Sequence, residues 1–101
     1  MSTLADIQID EKIKQITQEP AKYKVIFIND DVTPIEWVIE VLVKTFKHSQ
    51  TSAEALTLQI HSEGSAVVGI YSYEIAEQKS VETTVASRDK GFPLQIRLEK
   101  E

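Results

Sequence analysis

Asn29, Asp30 and Asp31 stand in a row between the apolar run Tyr23-Lys-Val-Ile-Phe-Ile28 and the pair Thr33-Pro34. They are the residues of this chain best suited to hold a charged ligand, and two readings of them stand side by side. Asn and Asp turn back onto their own backbone, and Asp is favoured near a helix N-terminus, so the trio suits an acidic strand-to-helix turn. If extended geometry continues past Ile28, however, Asn29 and Asp31 point to one face and Asp30 to the other. A carbonyl oxygen beside a carboxylate then suits an ammonium group, which offers only donors. His61 is the second candidate. It is either a solvated histidine near a helix C-terminus, where the dipole favours the cation, or a neutral imidazole acceptor near the Asn/Asp turn.

Other chemistries find little support. Asp30, Asp31 and His61 could in principle form a carboxylate/His metal site. His48 is the only other histidine, however, and the spacing matches neither a zincin nor an EF-hand loop, so no metal or cofactor is expected. Cysteine is absent, which excludes a disulfide framework, a thiol nucleophile and Cys-based zinc sites. There is no Gly-x-Ser-x-Gly elbow. The three glycines, Gly64, Gly69 and Gly91, are too scattered for a phosphate loop. Enzymatic chemistry is not expected.

Eleven Lys and Arg against 16 Asp and Glu leave a net charge of −5, which argues against a nucleic-acid binder. No apolar run approaches the roughly 20 residues of a membrane span. The opening Met1-Ser-Thr-Leu-Ala-Asp6 lacks the pattern of a secretory leader. The 101 residues suit one domain. The expectation is a soluble, monomeric, cytoplasmic protein.

The elements that must position these residues follow from pattern. Residues 1–22 carry no aromatic residue and only a thin stripe of Ile9, Ile13 and Ile16, so they read as a flexible N-terminal extension. The domain proper spans residues 23–101. Tyr23–Ile28 is a β-branched and aromatic strand. Thr33 as N-cap, Pro34 at the first helical position and Glu36 as capping-box partner predict a helix from there to about Lys47. Thr51 and Glu54 predict a second capping box, with Ala53, Leu56 and Ile60 buried and Gly64 closing the helix. Ser65–Tyr71 is a second strand, with Gly69 as a bulge or close approach. Ser72 caps a third helix running to about Lys90, with Ile75, Val81, Val85 and the alanines as its apolar side. Leu94–Leu98 alternates as a last strand. The order βααβαβ, with helices on one face of three short strands, is an α+β sandwich. Glu74, Glu77 and Lys79 open the third helix, either as a solvated face matched to the helix dipole or as a docking patch for a protein.

Together these segments resemble the ClpS family, adaptors that deliver N-degron substrates to a Clp-family AAA+ unfoldase. The resemblance rests on Tyr23-Lys24-Val25, Asn29-Asp30-Asp31-x-Thr33-Pro34, Glu36 with Val38, and Val41-Leu42. Further on it rests on His61-x-x-Gly64, Gly69, Glu74-x-Ala76-Glu77-x-Lys79 and Pro93-Leu94. It implies a three-stranded antiparallel sheet with three helices, and a non-enzymatic site that grips the first residue of a protein chain. On that pattern Asn29, Asp31 and His61 hold the free α-amine, with Asp30 helping less directly. Phe27, Thr33, Ile35, Val38, Thr57, Ile60 and Leu94 would line a pocket for Phe, Tyr, Trp or Leu. Glu74 and Lys79 would dock on the N-domain of a ClpA- or ClpC-type unfoldase, and the extension would engage it during hand-off. Family pockets carry Met where this chain has Ile35 and Thr57. A ribosomal-stalk-like interaction domain, which shares the element order, is the alternative.

Overall fold

The β-branched and aromatic residues at the start of the domain form β1 (Lys22–Ile28), the middle strand of a three-stranded sheet of order β2-β1-β3. In full the order is β1, α1 (Ile35–Lys44), α2 (Gln50–Glu63), β2 (Ser65–Ser72), α3 (Tyr73–Asp89) and β3 (Gln95–Lys100). Both strand pairings are antiparallel, so the expected βααβαβ architecture is the observed one. This is a computed structural model that describes residues 21–101. Nearly all of the expected extension over residues 1–22, with its Ile9, Ile13 and Ile16 stripe, lies outside the described residues.

The core forms between one sheet face and the helices. Val25 and Phe27 of β1, Ala66 and Val68 of β2, Val38, Val41 and Leu42 of α1, and Ala53 and Ile60 of α2 are all buried there. Fully burying a side chain such as Phe27 or Leu42 stabilises the fold by roughly 1.5–3 kcal/mol. Phe46, just past α1, turns its ring edge-on to Phe27 at 5.3 Å.

A register shift lies at Val25/Ile26, where Val25 pairs with Gly69 and Ile26 with Val67, leaving Val68 as the extra residue. A bulge of this kind breaks the two-residue alternation. Ala66 and Val68 therefore face the core, and beyond the bulge Tyr71 rather than Ile70 packs on it. Gly69 meets both expectations for it. It sits at the bulge, and a Cβ there would meet the Tyr71 ring at 2.5 Å. His48 approaches the Val68 carbonyl with Nε2 at 2.6 Å. A carbonyl only accepts, so His48 donates.

Three local expectations need correction. Helix α1 starts at Ile35 with Pro34 as its N-cap and no side-chain cap bond. Thr33 does not form the capping box, because its hydroxyl is bound to Asp30. The same helix ends at Lys44 rather than Lys47, since Lys47 adopts a left-handed backbone (φ 62°) and Phe46 turns inward. In α2 the cap is Ser49, whose hydroxyl accepts from Ser52 N at 3.1 Å, and not Thr51.

A further correction concerns α3. Ile75, Val81 and Val85 are about half exposed, and the buried residues are Ala76, Thr83 and Ser87. Small side chains let this helix lie close to the strands and to α1. Trp37 of α1 donates Nε1–H to Ser87 Oγ at 2.9 Å, and Ser87 donates in turn to the Thr83 carbonyl at 2.7 Å. Among the described residues, Thr83 Oγ1 is the buried side-chain atom left without a partner.

Candidate functional site

The end of β1 and the end of α2 are tied together by one backbone bond. Asn29 N–H donates to the Gly64 carbonyl at 2.9 Å. Gly64 ends α2 in the left-handed conformation (φ 92°), and its own N–H returns to Ile60 at 2.9 Å. A residue with a Cβ would be strained at that φ. His61 lies three residues before this tie, so the tie brings it beside the Asn/Asp turn.

Asp30 builds that turn. Its Oδ1 accepts from Val32 N at 2.8 Å and Thr33 N at 2.6 Å, and its Oδ2 accepts from Thr33 Oγ1 at 2.7 Å. Partial burial works to raise the carboxyl's pKa, but the Thr33 and Val32 hydrogen bonds and the Arg88 charge outweigh it. The carboxyl is held below the ordinary aspartate value. The turn hands the chain to Pro34, whose carbonyl accepts from Trp37 N and Val38 N at 3.1 and 3.3 Å. Ile35 is thereby placed at the first helical position.

These ties close a cavity of about 210 Å³. Asn29, Asp30, Asp31 and Thr33 line it from the turn, Ile35 and Val38 from α1, and Thr57, Ile60 and His61 from α2. The lining combines polar side chains from the turn and His61 with apolar ones from the two helices. Among the described residues, no hydrogen bond engages the side chains of Asn29, Asp31 or His61, in contrast to Asp30. Thr57 donates its hydroxyl to the Ala53 carbonyl at 2.7 Å, so it brings no free O–H to the cavity. The arrangement offers an amide, a carboxylate and an imidazole beside an apolar hollow.

The structure thus brings nine of the eleven residues read as amine site and pocket to one cavity. Phe27 and Leu94 are the exceptions. They are buried to 0% and 2% exposure within the core and do not line the cavity. Phe27 is drawn inward by its packing on Phe46, and the Leu94 carbonyl is held by the Arg88 guanidinium at 2.9 Å. Glu74 and Lys79 differ from each other. Glu74 is exposed in the first turn of α3. The Lys79 ammonium instead donates to the Thr45 carbonyl at 2.7 Å and stands over the Tyr71 and Phe46 rings. Among the described residues, no group of three or more metal-ligating side chains could hold an ion, and no helix is long and apolar enough to cross a membrane. Two residues not singled out as site candidates, Ile39 and Leu58, border a neighbouring hollow. Leu58 was detectable as an apolar residue out of phase with the buried face of its helix.

The family model described as "ATP-dependent Clp protease adaptor protein ClpS" matches residues 18–97. The chain belongs to the ClpS family. The match decides between the two families that share this element order, and the ribosomal-stalk-like alternative falls away. The ClpS of Treponema denticola is 45% identical over 82 residues, covering 81% of this chain and 81% of its own. That of Sodalis glossinidius is 45% identical over 91 residues, covering 90% and 86%. Both are described as ATP-dependent Clp protease adapter proteins. Among solved structures, Agrobacterium tumefaciens ClpS2 bound to L-phenylalaninamide has a similar fold. Its TM-score is 0.79 at 40% identity, covering 82% of this chain and all of that one.

Proposed function

We propose that this ClpS-family chain binds the first residue of N-degron proteins and passes them to a Clp-family AAA+ unfoldase, without transforming them chemically. The carrying observation is the single cavity on which Asn29, Asp31 and His61 meet Ile35, Val38, Thr57 and Ile60. A free α-ammonium needs acceptors, and the first three supply them. Hydrogen bonds to a charged group are each worth about 1.5–3 kcal/mol. The apolar lining takes the side chain, at roughly 0.8 kcal/mol per buried CH₂. At about 210 Å³ the cavity is smaller than the roughly 300–1,000 Å³ of drug-sized ligand sites and suits one side chain. The phenylalaninamide held by the Agrobacterium relative, a free amine on an aromatic residue, supports this reading.

In this reading Asp30 acts through the turn and not through the ligand. Delivery uses the first turn of α3, where Glu74 is exposed, against the N-domain of a ClpA- or ClpC-type unfoldase. Lys79, the second docking residue, is anchored to the Thr45 carbonyl, and the N-terminal extension, residues 1–22, engages the unfoldase during hand-off. The protein works as a cytoplasmic monomer. Fluorescence anisotropy with peptides that differ only at position one tests the recognition step. Phe, Tyr, Trp and Leu should bind, and Ser, Gly and Asp should not. Equal affinity across the set would refute it.

A further inference from the structure

The solvent-facing side of α3 carries an apolar stripe inside an acidic frame. Glu74, Gln78, Val81, Val85 and Asp89 follow one another at intervals of four, three, four and four, which sets them in one row along the helix. The buried residues Ala76, Thr83 and Ser87 lie on the opposite side. Val81 and Val85, in the middle of the row, are each 55% exposed. Neither belongs to the core or to the half-buried side chains packed on it. A β-branched residue is also a weaker helix former than alanine. The two valines therefore serve neither the helix nor the core. Glu74, Glu77, Glu82 and Asp89 line the same shallow hollow, and no Lys or Arg does. Among the described residues, no salt bridge engages any of these four carboxylates.

We infer that this stripe is a docking face whose occupant is a basic surface with an apolar centre on the Clp-family unfoldase. The inference rests on the reading of Glu74 as a docking residue and extends that contact along the whole helix. Glu74 to Asp89 spans about 22 Å at 1.5 Å per residue. Apolar anchors spaced along such a row are what a helix lays into a partner's groove. Charge selects the occupant. A second copy of this chain would set the same four carboxylates against each other. The chain's own N-terminal segment is acidic as well, with Asp6, Asp10, Glu11 and Glu19 against Lys12 and Lys14. A surface that rings an apolar depression with Lys or Arg satisfies the valines and the carboxylates together. The carboxylates steer the approach, and the valines hold the complex.

The test is binding of the full chain to intact ClpA-type and ClpC-type unfoldases by biolayer interferometry. Val81→Ala with Val85→Ala improves helix propensity, so a loss of binding would not come from unfolding. This pair should weaken docking roughly tenfold, given about fourfold per buried methyl lost, and leave the affinity for a Phe-initiated peptide unchanged. Glu82→Lys with Asp89→Lys should also weaken docking, and should flatten its dependence on salt. If Glu74→Lys weakens docking while both stripe variants bind as the wild type does, contact stops at the first turn and the inference is overturned. A wild-type dimer in sedimentation that the valine pair breaks would give the stripe to a second copy and overturn it too. If Glu74→Lys binds as the wild type does, or neither unfoldase binds the wild type, the reading of Glu74 as a docking residue fails and the stripe falls with it.

Discussion

The Thr33 hydroxyl donates to Asp30 Oδ2 at 2.7 Å. This bond divides the labour within the acidic trio. Asp30 is consumed by the turn, while the side chains of Asn29 and Asp31 keep their acceptors for the cavity. Asp30→Ala should therefore loosen the turn without removing a ligand contact. Hydrogen bonds to a charged group are strong, but solvent reaches this turn, so the expected cost is about 1–2 kcal/mol. Urea denaturation would read it, together with a fall in affinity shared by all first residues. An unchanged midpoint would mean that the turn holds without Asp30.

The same carboxyl should mark acid unfolding. Its pKa is lower in the folded protein than the ordinary 3.8, so the folded state binds the proton less tightly. Its contribution to stability is full above the ordinary value and is lost as pH falls through the lower folded one. Asp30→Asn should consequently flatten the decline in stability below about pH 4. Parallel curves for wild type and variant would contradict this.

Thr83 and Lys79 predict opposite shifts. The Thr83 hydroxyl is buried without a partner. Thr83→Val keeps the shape and removes that penalty, so it should stabilise the protein by about 1–2 kcal/mol. Lys79→Met leaves the Thr45 carbonyl without its ammonium donor and should destabilise by a similar amount. Glu74→Lys, exposed on the same helix, should leave the urea midpoint unchanged yet weaken unfoldase docking. If Lys79→Met leaves the midpoint in place, its bond to Thr45 contributes nothing.

Ile35 should act as a gate. It is β-branched, stiff at χ1, half exposed, and lines the cavity from the start of α1. A first residue branched at Cβ brings its bulk close to the amine and collides with it, at a cost of about 1–3 kcal/mol. The wild type should prefer Leu and Phe to Ile and Val, and Ile35→Ala should admit all four. Anisotropy with four peptides decides it. An unchanged Leu-to-Ile ratio in the variant would remove Ile35 from this role.

Elements and order were legible because hydrophobic period and glycine placement agree along the chain, as at Gly64 and Gly69. The helix caps were not. Thr33 and Thr51 fit the capping pattern, but Asp30 competes for the first, and Ser49 starts α2 before the second. The inner face of α3 was misread because periodicity rewards large apolar residues. Close packing against Trp37 and the sheet instead selects Ala76, Thr83 and Ser87. The Asn29–Thr33 segment was legible as a turn, since local bonds to Asp30 build it, whereas His61 reaches it only through the tie between Asn29 and Gly64. Phe27 and Leu94 were not separable from the lining by pattern alone, because core and pocket residues share one composition.

The central claim is that Asn29, Asp31 and His61 hold a free α-ammonium. Binding of one Phe-initiated peptide, free and N-acetylated, measured at equal ionic strength, tests it most directly. Acetylation removes the charge and adds bulk where the acceptors converge. The account predicts measurable binding of the free peptide and none of the acetylated one. Equal affinity for the two would contradict it.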